Sequence, residues 1–411
     1  MMASLAANLN GMRWLRVSSF LVALAWLFSA IPRSSLAGQA PATTVAAAGS
    51  AAFQWKKPAW APTPAVPADN LMSVAKVWLG RRLFYDKRLS VNGTLACASC
   101  HQQAHGFTDG QPTHPGATGE PGVRSVMTLT NVAYLPSYTW ANPLITSLEK
   151  QMLIPLFSDH PLEMAMGGHE AELSARLAAD AEYPREFAEA FPHEEARMDV
   201  AHVTKAIAAF ERTLLSFDSP YDRYKHGDAN AISASAKRGE ALFFGERLEC
   251  YHCHDGINFT DNYTAQGLAF PETGFHNTGL YNEDSLGAYK PWDHGLRSVT
   301  SRAEDEGAFR TPTLRNIAVT APYMHDGSLP TLRAVIRQHY AVKGHAALSS
   351  RGPNPLRSEF IEGFAITESE VRDLVAFLDS LTDQNFMTNP GFADPAGTPG
   401  ASEKRRQHAG D

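Results

Sequence analysis

Cysteine is absent from this chain except in two short segments, so any thiol chemistry is confined to those two places. Strand-type alternation of apolar and polar residues is nearly absent as well, which argues against a β fold and predicts a mainly α one with long loops. Outside the first 37 residues, no apolar run is long enough to cross a bilayer. The 411 residues are enough for two domains with ordinary cores.

An excess of basic charge is also lacking. The formal net charge is −7, and loss of the first 37 residues would make it more negative, because they contain three Arg and no acidic residue. An acidic surface repels phosphates, which argues against nucleic acid as a partner. It is compatible with a basic protein partner.

The N-terminus has the order of a secretory signal peptide, predicted at residues 1–37. Two Arg precede an apolar stretch at 20–31, and small residues follow it. The stretch is too short to span a bilayer comfortably, which favours cleavage over an uncleaved anchor. We therefore expect a periplasmic protein with no stable membrane insertion after signal removal. Residues 38–69, rich in Pro and Ala, predict a linker or an extended arm.

All four cysteines fall in two Cys-x-x-Cys-His segments, at 97–101 and 250–254. In such a segment both thiols can add to the vinyl groups of a haem, and the adjacent His can ligate its iron. The alternatives are a four-thiolate zinc site, two disulfides or a thioredoxin-like redox pair. Zinc-binding halves usually lie much closer in sequence, and a redox pair needs a βαβ context. The segments predict two covalent c-type haems, attached through Cys97, Cys100, Cys250 and Cys253, with His101 and His254 as axial ligands.

The chain repeats itself once around these segments. A Gly-x-x-Leu-Phe sequence precedes each of them, Phe-Thr-Asp follows each, and a Leu-x-Asn-x-Ala sequence comes later in each half. One copy per haem predicts two tandem cytochrome c-like haem domains. The matched pairs are 80–84 with 239–243, 107–109 with 259–261, and 129–133 with 314–318.

We place the N-terminal domain at 70–225 and the C-terminal domain at 226–385. The tail, 386–411, is rich in Pro, Gly and charge and is predicted to be disordered. Thr367 with Glu370 predicts a capping box at the start of the last helix. Helical periodicity is found at 71–84, 147–156, 170–178, 203–216, 331–340 and 368–381.

From about residue 80 to 383, these motifs and their order resemble the bacterial di-haem cytochrome c peroxidase and MauG superfamily. In its peroxidases a Met binds the second haem at the position where this chain has His339, whereas MauG-like members use a Tyr there. The resemblance therefore implies Tyr340 as the axial ligand, with His339 as the alternative. Phenolate or imidazole stabilises higher oxidation states than Met does.

The resemblance also implies residues around the first haem. Trp140 corresponds to a Trp between the two haems, and Gln151, Pro155 and Glu163 correspond to the lining of the peroxide side. Glu163 can move a proton from the inner to the outer peroxide oxygen, which assists cleavage of the O–O bond.

Two family features are altered in this chain. The His that blocks the first haem in many peroxidases is replaced by Thr118, so we expect this haem to be five-coordinate and open. The resemblance also implies a calcium ion held by the carbonyls of Thr320 and Pro322, but Ser125 replaces the Asn that completes that site.

Three segments, 117–120, 138–143 and 155–157, are most similar to the MbnH branch, the di-haem enzymes associated with methanobactin operons. That likeness implies a MauG-like enzyme that reaches a bis-Fe(IV) state with hydrogen peroxide and oxidises Trp to kynurenine on a copper-binding partner. One alternative is a peroxidase that takes electrons from a small cytochrome. Another is a di-haem electron carrier without catalysis.

Overall fold

A computed structural model describes residues 53–192, 194 and 198–397; the predicted signal peptide lies outside these residues. The fold is mainly α, as predicted, with long loops between helices. No helix within 53–192 and 198–397 is both long and apolar enough to cross a membrane. The described helices are α1 (Val74–Phe84), α2 (Cys97–Cys100), α3 (Leu148–Gln151), α4 (Leu153–Phe157), α5 (Glu170–Ala178), α6 (Tyr183–Ala190), α7 (Val200–Glu211), α8 (Pro220–Lys225), α9 (Ala234–Phe243), α10 (Arg297–Thr300), α11 (Leu332–Gln338), α12 (Glu368–Asp379) and α13 (Gln384–Thr388).

Four short strands form two antiparallel pairs in the second half of the chain. Strand β1 (Asn262–Tyr263) pairs with β2 (Glu272–Thr273). Strand β3 (Phe275–Asn277) pairs with β4 (Ala308–Arg310), with His276 opposite Phe309. Strands of two or three residues are too short to leave an alternating pattern, which is why the sequence did not predict them.

Each half contains two crossing helices with a glycine at the crossing. Helix α1 packs on α7, and α9 packs on α12. A Cβ on Gly80 would lie 1.8 Å from the carbonyl oxygen of Ala206, and a Cβ on Gly239 would lie 2.0 Å from that of Asp373. Only glycine allows the backbones to approach this closely. The repeated Gly-x-x-Leu-Phe sequence thus corresponds to a repeated helix contact.

Aromatic side chains repeat in the same way inside two hydrophobic clusters. In both, the Phe that ends the glycine-containing helix contacts one Phe of the crossing helix and one that follows the Cys-x-x-Cys-His segment. The ring centroids are 5.3 Å apart for Phe84 and Phe210, 6.1 Å for Phe84 and Phe107, 5.1 Å for Phe243 and Phe377, and 6.4 Å for Phe243 and Phe259.

The described residues do not separate into two independent bodies. Asn131 and Asn316, equivalent in the repeat, both cross between the halves: the amide of Asn131 donates to Asn258 at 2.8 Å, and that of Asn316 donates to Thr130 at 3.2 Å. Helix α8, which we placed in the first domain, packs in the second cluster through Tyr221, so the second core begins before residue 226.

Helix ends agree with the sequence in two places and differ elsewhere: α1 begins at Val74 instead of 71, 147–156 is divided into α3 and α4, α7 is Val200–Glu211 instead of 203–216, and α12 ends at Asp379 instead of 381. Helix α5 has the predicted bounds, and α12 begins with the predicted capping box between Thr367 and Glu370. Helix α11 ends at Gln338 instead of 340, because the backbone of His339 (φ −130°, ψ −72°) leaves the helical region. Its carbonyl accepts the N–H of Gly344 at 2.9 Å, so the chain turns back at this residue.

The prediction of a disordered tail is wrong for residues 386–397, while 398–411 lie outside the described residues. Phe386 and Phe392 are buried in the first hydrophobic cluster. Arg81 of α1 donates to two backbone carbonyls of the segment at 2.6 and 2.7 Å. Burial of these two aromatic rings stabilises the segment, although its Pro and Gly content had predicted disorder.

Candidate haem sites

Both Cys pairs are presented on short helical turns. Cys97 and Cys100 begin and end α2, and Cys250 begins a 3-10 turn that ends at His252. Residues three apart lie on one face of such a turn, so each pair can reach one ligand. All four thiols are free and half-buried, which contradicts the disulfide alternative. Burial raises the pKa of Cys100 to about 12.

The two His residues that follow are oriented identically. Nδ1 of His101 lies 2.9 Å from the carbonyl oxygen of Phe107, and Nδ1 of His254 lies 2.9 Å from that of Phe259. A carbonyl only accepts, so Nδ1 carries the hydrogen and the Nε2 lone pair is free for a metal. Burial lowers the pKa of both rings, which keeps them neutral. These residues therefore fit an iron at Nε2 of each imidazole.

Tyr340 lies close to the second Cys pair. Burial raises the pKa of its phenol, and the charges of Cys253 and Cys250 raise it further. The neighbouring His339 is 0% exposed, and its ring is edge-on to that of Tyr340 at a centroid distance of 4.7 Å. Both predicted candidates thus lie at the second site, and their hydrogen bonds differ.

His339 is engaged through Nδ1. That nitrogen accepts the backbone N–H of His345 at 2.9 Å, while Nε2 has no hydrogen-bond partner among the described residues. Burial lowers the pKa of His339 to about 3, so the ring is neutral. With a donor facing Nδ1, the hydrogen of the neutral ring is on Nε2.

Glu163 lies beside the first Cys pair, where its charge contributes to the raised pKa of both Cys97 and Cys100. Burial raises the pKa of Glu163 itself, and the nearby His114 opposes this. A carboxyl with a raised pKa beside the reacting ligand suits proton transfer. His114 was not among the predicted site residues, and nothing in its sequence spacing indicated this proximity.

The segment that carries Glu163 is held from two sides. The N–H of Met164 donates to the carbonyl of Pro155 in α4 at 2.8 Å, and the N–H of Ala117 donates to that of Glu163 at 2.6 Å. Gln151 ends α3, close before α4 along the chain. The hydroxyl of Thr118 bonds the carboxylate of Glu120.

Trp140 joins residues of the two halves. Its indole N–H donates to the carbonyl of Ser125 at 2.8 Å, and its own carbonyl accepts the N–H of Arg310 at 2.7 Å. Trp140 and Arg310 line one cavity, and burial lowers the pKa of Arg310 to about 10. Arg310 was not among the predicted site residues, and its place before Thr311 and Pro312 was the only sequence signal.

Thr320 and Pro322 line that cavity as well, but calcium gains no support there. The described residues around it include no carboxylate, and Ca²⁺ is bound mainly by carboxylate and carbonyl oxygens. The carbonyl of Ser125 already accepts the indole of Trp140.

Comparison with known proteins agrees with this geometry. The family model described as di-haem cytochrome c peroxidase matches residues 74–230. Cytochrome-c peroxidase IdrP1 of Denitromonas iodatirespirans is 35% identical over 389 residues, covering 90% of this chain and 97% of its own length. The chain belongs to the di-haem cytochrome c peroxidase and MauG family. As a family member it is a haem-dependent oxidoreductase, and membership implies two haems.

Two further likenesses concern the branch within the family. Methylamine utilization protein MauG of Methylorubrum extorquens is 37% identical over 315 residues, covering 77% of this chain and 80% of its own length. The crystal structure of a MauG-like protein associated with microbial copper homeostasis is 46% identical, with a TM-score of 0.81, and covers 84% of this chain and 100% of that one. These matches support the MbnH-like branch predicted from the sequence.

Proposed function

We propose that this family member is a periplasmic MauG-like enzyme that uses hydrogen peroxide to oxidise a Trp of a copper-binding partner protein to kynurenine. The observation that carries the proposal is the phenol of Tyr340, which lies beside the second Cys pair and directly follows the position at which the family's peroxidases have Met. The description of the 46% identical structure as a MauG-like protein of copper homeostasis supports the choice of partner. Peroxide follows from the relatives named as peroxidases.

The reaction balances with peroxide as the oxidant. Two molecules of peroxide open the indole ring of one Trp to N-formylkynurenine and leave two molecules of water. Hydrolysis then releases formate and gives kynurenine. A protein side chain is too large a substrate for a haem pocket, so electrons rather than substrate atoms must cross the protein surface.

When bound, two c-type haems supply peroxide cleavage at the first site and storage of an oxidising equivalent at the second. The four cysteines would attach the haems, and His101, His254 and Tyr340 would hold the irons. Glu163 takes the proton from the inner peroxide oxygen and returns it to the outer one. The remaining first-site residues have supporting roles: Gln151 and Pro155 line the peroxide side, and Trp140 passes electrons between the halves.

The division into two tandem cytochrome c-like domains is part of this proposal. The repeated glycine crossings, the repeated Phe contacts and the matching orientation of the two His residues support one haem in each half. The Thr118 side chain, which bonds Glu120, supports an open first site. The proposal needs no calcium.

The test is to add peroxide to the pure di-haem protein and to follow absorption and Mössbauer spectra. We expect both irons to be oxidised above the ferric state with no porphyrin radical. A radical confined to one haem would contradict the proposal. In the Tyr340→Phe variant, peroxide should no longer oxidise the second iron above the ferric state, and the first haem should stay bound.

A second candidate function is peroxide reduction with electrons from a small cytochrome. The relative named cytochrome-c peroxidase, which covers 90% of this chain, favours it. Rapid steady-state turnover with a reduced cytochrome, especially after prior half-reduction of the protein, would establish it. The absence of Met at the second site predicts slow turnover in that assay.

A further inference from the structure

Three buried or half-buried imidazoles lie at the two sites, and they differ in the group that faces Nδ1. For His101 and His254 it is a backbone carbonyl. For His339 it is the backbone N–H of His345, at 2.9 Å. This difference determines which nitrogen has a free lone pair.

A donor at Nδ1 prevents His339 from binding iron. The Nδ1 lone pair is used by the N–H of His345, and Nε2 of the neutral ring carries the hydrogen. Binding through Nε2 would require either a doubly deprotonated ring or loss of this hydrogen bond. Neither cost arises for His101 and His254, where Nδ1–H donates to a carbonyl and leaves Nε2 free.

The loop that carries this N–H is anchored from outside the site. The N–H of Ala346 donates to the carbonyl of Gly279 at 3.0 Å. Gly344 has φ +90°, and a Cβ there would lie 2.5 Å from that same carbonyl oxygen. Glycine at this position therefore allows the loop to lie against residues 278–279, with the N–H of His345 directed at His339.

We propose that the backbone N–H of His345 selects Tyr340 as the iron ligand by holding His339 in the tautomer that cannot bind iron. His339 is then a positioning residue, and its ring supports Tyr340 through their edge-on contact. This inference rests on the function proposed above, because it presupposes that Tyr340 binds the second iron.

The test uses electron paramagnetic resonance of the resting ferric protein, with haem content measured for every variant. In Tyr340→Phe the low-spin signal of the second haem should be lost and a high-spin signal should replace it, because His339 remains held. An unchanged low-spin signal would show that Tyr340 is not the ligand, and the proposed function would fail at this point. A new bis-imidazole signal would leave Tyr340 as the ligand and overturn the role of His345.

A second step removes the donor together with the His345 side chain, whose Nδ1 lies 2.9 Å from the carbonyl oxygen of Gln338; the alanine control removes the same side chain. Proline at 345 lacks the N–H and is tolerated at the first position of the 3-10 turn His345–Leu348. In Tyr340→Phe with His345→Pro, His339 should be released and give a bis-imidazole signal. The matched control, Tyr340→Phe with His345→Ala, keeps the N–H and should remain high-spin. A high-spin signal with proline, or a bis-imidazole signal with alanine, would overturn the proposal.

Gly344→Ala gives an independent route if the proline variant loses its haem. The added Cβ would push the loop away from residues 278–279 and carry the N–H of His345 away from His339. Combined with Tyr340→Phe, it should also produce the bis-imidazole signal. Persistence of the high-spin signal in this variant would again count against the proposal.

Discussion

At the residue scale, both haem-proximal loops depend on an unusual backbone angle of phenylalanine. Phe107 has φ +64° and Phe259 has φ +51°, a region that side chains other than glycine rarely adopt. In each case the ring is buried in a hydrophobic cluster, and the carbonyl accepts from the proximal His. Burial of the ring thus offsets the strain of the conformation that orients the ligand.

The residue-level predictions of haem attachment rest on determinants that are close in sequence, and the individual residues stay predictions. The Cys pairs and the His beside each of them are contiguous, so their spacing indicated the chemistry. The choice between His339 and Tyr340 could not be made in this way, because the N–H that we propose as the determinant belongs to His345, beyond a glycine turn. Helical periodicity carries no information about such a bond.

Replacement of Glu163 tests the acid–base role. Glu163→Gln should slow the reaction of peroxide with the protein by about 10²- to 10⁴-fold in stopped-flow measurements, because an amide cannot take up the proton. Resting spectra should not change. Burial raises the pKa of Glu163, so its carboxylate is protonated at a higher pH than an ordinary Glu. The wild-type rate should therefore begin to fall, as pH is lowered, before the pH reaches the ordinary carboxyl range. The exposed Glu189→Gln is the control, and an equal loss of rate in it would refute the assignment.

At the element scale, the sequence predicted most of the longer helices and missed short elements. Helix α5 has the predicted bounds, whereas α6 and the four strands were not predicted. Helix α6 does have helical periodicity, because it buries Tyr183 and Phe187 against the first cluster, but it spans only eight residues and has Pro184 in its first turn. In the sequence, the helix crossings left only one sign, a repeated glycine. The structure explains it, because each glycine faces a backbone carbonyl of the crossing helix.

The crossing of α9 and α12 should not tolerate a methyl group. Gly239→Ala would place a Cβ 2.0 Å from the carbonyl oxygen of Asp373 and 2.8 Å from Cβ of Phe377. We expect the free energy of unfolding to fall by about 1–3 kcal/mol or more, measured by chemical denaturation of the haem-loaded protein. The reverse change in the same helix, at exposed Ala241→Gly, should cost only about 0.5–1 kcal/mol. Similar losses in both variants would contradict the close-approach explanation.

At the scale of the whole molecule, acid sensitivity should depend on one buried ion pair. Arg315 donates to both carboxylate oxygens of Asp222, at 2.9 and 3.0 Å. Burial alone would raise the pKa of Asp222, but the charge of Arg315 lowers it overall. The pair therefore stabilises the fold above the ordinary Asp pKa, and this contribution is lost as pH falls through the lowered value.

Asp222→Asn leaves Arg315 buried without its counter-charge. The free energy of unfolding at neutral pH should fall by about 3–5 kcal/mol, and its pH dependence below about 4 should become weaker. Denaturation curves at several pH values measure both effects. The exposed Asp69→Asn should change neither, and a pH dependence in Asp222→Asn equal to that of the wild type would contradict this account.

The last described residues should stabilise the first half of the molecule. Deletion of 389–411 removes Phe392 from the first cluster and takes two acceptors from buried Arg81, so stability should fall by about 3–5 kcal/mol. Deletion of 398–411 leaves those contacts intact and is the matched control. In thermal unfolding, the protein that lacks 389–411 should have a clearly lower melting temperature than the protein that lacks 398–411. Equal melting temperatures would show that the segment contributes nothing.

The contact of residues 386–397 with α1 also has a consequence for biosynthesis. The hydroxyl of Tyr85 donates to the carbonyl of Phe392 at 2.7 Å, which ties the earliest described helix to the end of the described chain. These two partners lie 307 residues apart in the chain. Part of the apolar surface of the N-terminal half therefore stays uncovered until the polypeptide has been synthesised as far as Phe392 and this segment has packed on α1.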